Sequence, residues 1–249
     1  MEMVLLTALG VGGATVIGAV IGFLFRNLSH RFSDIILSFA AGVMLAAAVM
    51  GLIIPSVEYG GRYGIAVTVT GIFVGALCLN VADKLVPHLH KLAGDNEHHN
   101  NRSIDKVMLF VLAIAIHNLP EGIAAGVGFG SGDVSQALLI AGGIALQNVP
   151  EGMVIIAPML AAGVKPGKTF FIAMLTGIVE VAGTIIGYFA VSFSTVILPF
   201  ALAFAGGTML YVISDEMIPE THEHGSERGA TYALLAGFCV MLITDTLLG

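Results

Sequence analysis

The sequence predicts an all-α integral membrane protein: a bundle of eight transmembrane helices, with kinked helices four and five at the centre and both termini outside. Three observations predict it. Of the 249 residues 57% are hydrophobic and only 11% are charged, where a soluble domain carries about 25% charged. A mean hydropathy of +0.95 excludes a disordered, collagen-like or coiled-coil chain, each of which needs far more charge or a strict repeat. Apolar runs long enough to cross a bilayer, which takes about 20 residues, recur along the whole chain. They leave no room for a separate soluble domain, so residues 1–249 read as a single transmembrane domain.

The first run, at about 3 to 25, has no basic segment before it and reads as a retained span rather than a cleaved signal peptide. The others lie at about 34 to 56, 64 to 86, 106 to 130, 134 to 161, 168 to 192, 196 to 216 and 229 to 248. Asp34 is expected to cap the second. The sixth and seventh are parted only by the polar break Ser192 to Thr195, just ahead of Pro199. The runs are twice the length of a barrel strand and show no alternating polarity, so each satisfies its backbone groups within a helix.

Lysine and arginine give the orientation. The loops after spans one, three, five and seven hold Arg26 and Arg31; Lys84, Lys91, Arg102 and Lys106; Lys165 and Lys168; and Arg228, with only Arg62 on the opposite side. Both termini are therefore expected outside, in a multi-pass protein of the cytoplasmic membrane. With ten basic residues spread thinly and a net charge of -7, no nucleic-acid partner is indicated. Cys78 and Cys239 sit inside apolar runs and are read as core-packing residues rather than a disulfide or a thiolate metal cluster. The 32 glycines recur within spans, where small residues let helix backbones approach closely.

Ionisable side chains in the bilayer interior cost about 2.5 to 3.5 kcal/mol each on insertion scales and are functional candidates by default. Span four carries His117, Asn118 and Glu121, span five Gln147, Asn148 and Glu151, and span six Glu180. At about 100° per residue, His117 and Glu121 lie one turn apart on one face, with Asn118 flanking Glu121 about 60° away. The strings HNLPEG and QNVPEG repeat the arrangement thirty residues apart, so two antiparallel helices would present matching polar faces at one depth. Pro120 and Pro150 should free the carbonyls of Ile116 and Leu146, which is tolerated where a helix lines a cavity or ion path. A single such residue is often only a structural hydrogen-bond partner. Two matched strings together with Glu180 read as a cation site.

Imidazole and carboxylates without thiolate suit zinc, and also ferrous iron, manganese or cadmium; calcium and magnesium prefer all-oxygen shells. The ion is expected as transported substrate, with no prosthetic group. A metal-dependent intramembrane hydrolase is one alternative, but the general-base glutamate of an HExxH motif is missing, so the chain is read as a transporter and not an enzyme. A proton- or sodium-coupled carrier of an organic substrate is another, since it would also use midplane carboxylates and broken helices.

The paired motifs HNLPEG at 117 to 122 and QNVPEG at 147 to 152, eight spans, outward termini and a His-bearing loop after span three resemble the ZIP zinc and iron transporters, in their GufA-like prokaryotic branch. SDEMIPE, from Ser214 to Glu220, adds a third match. The resemblance covers essentially the whole chain. It implies import of divalent transition metal through two adjacent sites between spans four, five and six, and it suggests a homodimer. One site would use His117, Glu121 and Glu151, joined by Gln147; the neighbouring one Asn118, Asn148, Glu151 and Glu180, with Gln147 or Glu121 bridging the two. Where members of that family often place His in the span-five motif this chain has Gln147, and where some place His in span seven it has Asp215. Asp215 and Glu216 are candidates for an exit path. His88, His90, His98 and His99, in a cytoplasmic loop at about 88 to 105, are candidate loop ligands, although a solvated loop with incidental histidines reads equally well. His222 and His224 after span seven have the same standing.

Overall fold

The computed structural model describes residues 1–25, 29–92, 102–129, 132, 134–223, 225 and 227–248. Among these residues every regular element is helical. Span one is α1 (Glu2–Leu24), and span two runs through α2 (His30–Ala46), a π-helical stretch (Ala47–Ile53) and α3 (Ile54–Tyr59). Spans three to six are α4 (Gly64–Leu92), α5 (Arg102–Gly128), α6 (Val134–Ala161) and α7 (Pro166–Phe193). Span seven combines α8 (Leu198–Val212), a second π-helical stretch (Ile213–Met217) and α9 (Ile218–His222), and α10 (Glu227–Leu248) is span eight. Seven of these spans are long and apolar enough to cross a membrane; α5, at 27 residues, packs among them as the eighth long helix.

Most helices extend beyond their apolar runs, because a helix continues wherever its hydrogen bonds can form and stops at specific residues. Pro166 opens α7 from an extended Lys165, where its missing N–H costs nothing. The polar break before Pro199 is real: Ser194 is extended, and a 3-10 turn (Thr195–Ile197) leads into α8. Span two starts earlier than expected. Ser29, not Asp34, caps α2 by accepting from the Phe32 N–H at 3.3 Å, while Asp34 lies a turn inside the helix and is buried. Pro120 and Pro150 lie inside α5 and α6, each of which runs through as one helix.

The two π-helical stretches precede Pro55 and Pro219. A proline ring clashes with the carbonyl four residues back, here Gly51 and Asp215. A wider turn with one extra residue relieves that clash and rotates the side chains beyond it.

Two sets of helices result. α1 packs on α6 and α7, and α5 on α7 and α6; α2 packs on α10, and α4 on α8. The sets meet where α2 touches α6 and α8 touches α5. Within the first set backbones nearly touch: a Cβ on Gly122 would run into the Glu180 carbonyl, and one on Gly152 into the Thr15 carbonyl. Cys78 and Cys239 are exposed on α4 and α10, not packed in the core. The outer face of a membrane bundle is as apolar as its interior, so hydropathy alone could not tell the two environments apart.

Two buried apolar clusters bracket a gap. The larger includes Val11 of α1, Ala124 and Val127 of α5, Ile140 and Ile144 of α6, and Val191 of α7; the smaller includes Ala19, Val111, Ile114, Ile155, Ile156, Met159 and Ala173. On α1, α5, α6 and α7 alike, buried polar residues lie between the two clusters.

Candidate metal centre

That gap is filled by Thr15 of α1, His117, Asn118 and Glu121 of α5, Gln147, Asn148 and Glu151 of α6, and Thr176 and Glu180 of α7, all buried. Helix direction puts them at one depth: α5 and α7 run from the smaller cluster to the larger, and α1 and α6 run the opposite way. Two copies of one motif on antiparallel helices therefore meet in a single polar layer.

The hydrogen bonds orient the amides. Asn148 Nδ2 donates to the Val11 carbonyl at 3.1 Å and to Glu180 Oε1 at 2.6 Å, and Asn118 Nδ2 donates to the Thr176 carbonyl at 3.4 Å. Their donors are used against the walls, and the carbonyl oxygens Asn118 Oδ1 and Asn148 Oδ1 accept nothing. Both oxygens of Glu151 and of Glu121 are likewise buried with no partner inside hydrogen-bond geometry, the Gln147 amide lying beside Glu121 just short of it. Glu180 differs: Thr15 Oγ1 donates to its Oε2 at 2.8 Å, so both of its oxygens are held.

Burying acceptors without donors is expensive unless a ligand completes them. Three carboxylic side chains, Glu121, Glu151 and Glu180, share the layer with the imidazole of His117. His117 Nε2 is 3.9 Å from Glu151 Oε2. A layer of buried oxygen acceptors, three of the side chains being carboxylic acids, with one imidazole at its edge has the chemistry of a cation site. Among the described residues no three His, Cys, Asp or Glu side chains already close on a common point, so amide oxygens or a small side-chain adjustment must complete any coordination shell.

The other sequence-stated candidates separate. The π-helical stretch carries Glu216 to the site, with Oε2 3.4 Å from His117 Nδ1, whereas Asp215 beside it is exposed. Glu216 remains partly exposed, so His117 stands between the buried layer and a carboxylate that reaches toward the surface. His222 turns away from the layer, its Nδ1 2.8 Å from the Ile218 carbonyl. His98, His99 and His224 lie outside the described residues; His88 and His90 are placed only as backbone in the last turns of α4. Thr15 was missed by sequence reasoning, since a hydroxyl in an apolar helix usually bonds its own preceding turn and carries no signal of its own.

The family model of the ZIP Zinc transporter matches residues 94–245. The chain is 39% identical to "Zinc transporter GufA" of Myxococcus xanthus over 98% of either chain. It is 38% identical to "Zinc transporter ZIPB" of Bordetella bronchiseptica, over 95% of this chain and 78% of that protein. To "Zinc transporter ZupT" of Chlorobaculum parvum it is 35% identical, over 94% of this chain and 92% of the relative.

Proposed function

This chain belongs to the ZIP zinc transporter family, and from that premise we propose that it carries zinc into the cytoplasm through two adjacent ion positions between α5, α6 and α7. The observation that carries the proposal is the set of buried, donor-free oxygens on Asn118, Glu121, Gln147, Asn148 and Glu151, at one depth between two apolar clusters. His117, Glu121 and Glu151, with Gln147, form the first position; Asn118, Asn148, Glu151 and Glu180 form the second. Mixed anionic and neutral ligands suit an ion that must leave again. Ferrous iron, manganese and cadmium are further substrates of the same donor set.

Orientation follows from the lysine and arginine distribution, which sets both termini outside the cytoplasmic membrane. Metal arrives from outside, displaces protons from Glu121, Glu151 and Glu180, and leaves inward past Glu216 after an alternating-access rearrangement. The protein works as one transmembrane domain, as a homodimer, with the loop at about 88 to 105 on the cytoplasmic side.

Zinc flux in proteoliposomes tests the reading. Wild-type protein is expected to accumulate zinc, and His117→Ala and Glu151→Ala are expected to abolish most of that flux. Undiminished flux in both variants would remove the site assignment.

A further inference from the structure

We infer that Thr15 is a positioning residue for metal binding: from the helix behind the polar layer, its hydroxyl holds Glu180 in the orientation that completes the second ion position. The inference rests on the proposed role of Glu180 as a ligand to the transported ion. Thr15 Oγ1 donates to Glu180 Oε2 at 2.8 Å while Asn148 Nδ2 donates to Oε1 at 2.6 Å. Two donors on two oxygens fix the carboxylate plane and rotamer. No comparable pair of donors holds Glu121 or Glu151, whose oxygens accept no hydrogen bond.

The direction of the Thr15 hydroxyl is the telling feature. Buried threonines on neighbouring helix turns spend their hydroxyls on their own backbone: Thr176 Oγ1 donates to the Ala173 carbonyl at 2.8 Å, and Thr184 Oγ1 to the Glu180 carbonyl at 3.0 Å. Thr15 instead reaches a side chain on another helix, 165 residues away in sequence. Backbone contacts seat α1 tightly between α6 and α7 at this level. A Cβ on Gly12 would run into the Gly177 carbonyl of α7, and one on Gly152 of α6 into the Thr15 carbonyl. Thr15 thus touches the helix of Glu151 through its backbone and the helix of Glu180 through its side chain. Asn148 depends on the same contact: because Thr15 holds Oε2, Glu180 keeps Oε1 toward the Asn148 amide nitrogen, and the amide oxygen of Asn148 stays free to accept a cation. Partners that orient a ligand in this way typically cost about 10- to 100-fold in metal affinity when removed.

The test is a double-mutant cycle of Thr15→Val, which keeps shape and removes the hydroxyl, with Glu180→Gln. It is read as zinc affinity by isothermal titration of the purified protein and as zinc KM and maximal rate in proteoliposomes. Thr15→Val is expected to weaken zinc binding at the second position by about 10- to 100-fold and to raise KM, and Thr15→Ser to restore both. In the Glu180→Gln background Thr15→Val is expected to add nothing, because it acts through that carboxylate. Unchanged zinc affinity in Thr15→Val beside a weakened Glu180→Gln would overturn the inference, and so would fully additive losses, which would make Thr15 a packing residue. If Glu180→Gln itself leaves zinc binding intact, the reading of Glu180 as a ligand fails instead. Should Thr15→Val accumulate poorly, Thr15→Ala carries the same cycle without added bulk.

Discussion

His117 Nδ1 lies 3.4 Å from Glu216 Oε2, so the imidazole at the edge of the buried layer is shared between that layer and a partly exposed carboxylate on span seven. The same ring faces Glu151 with its other nitrogen, at 3.9 Å. An ion moving from Glu151 toward Glu216 would keep a carboxylic oxygen within reach throughout. Glu216→Gln is therefore expected to slow turnover with little change in zinc affinity. A release barrier raised by about 1.4 kcal/mol is a tenfold slower rate, and flux measured beside equilibrium binding separates the two effects.

Close packing behind the site gives a stability prediction. A Cβ on Gly152 would enter the Thr15 carbonyl and lie 3.0 Å from the Ala19 nitrogen, and neither backbone atom can yield without shifting α1. Gly152→Ala is expected to destabilise the protein by about 1–3 kcal/mol, the usual range for overpacking. Thermal unfolding in detergent measures it, and zinc flux should fall as well, because Glu151 is the adjoining residue.

Zinc and protons compete for the same carboxylates and for the imidazole. Metal binding requires these groups deprotonated, so zinc binding is expected to release protons, and apparent affinity to rise with pH until the ligands are ionised. Titration calorimetry in two buffers of different ionisation enthalpy counts the protons. A buffer-independent heat would mean that none are displaced.

The Gln147 amide is buried beside Glu121 in the first proposed position. Gln147→His adds an imidazole to the first position and is expected to favour zinc over manganese, because imidazole suits zinc while carboxylate and carbonyl oxygens suit manganese. Competition between the two ions in one flux assay reads the change.

What the sequence revealed follows from how conspicuous each residue is against lipid. HNLPEG and QNVPEG stand out because charged and amide groups rarely occur inside apolar helices, and the structure brings all six polar side chains of those strings, with Glu180, into one layer. Glu216 is legible only as an acid near a helix end. Its approach to His117 depends on the π-helical stretch ahead of Pro219, and one extra residue in a turn leaves no mark on hydropathy. Asp34 resembles a cap but lies inside α2, since Ser29 caps first. Cys78 and Cys239 show the opposite limit: an apolar neighbourhood in sequence does not say whether a side chain faces the bundle or its surroundings.

The number of zinc ions retained by purified protein, weighed by native mass spectrometry, tests most directly whether the buried layer is a paired metal site. Wild-type protein is predicted to hold two and Glu180→Ala one. Wild-type protein holding no zinc, or the same count in both, would contradict the account.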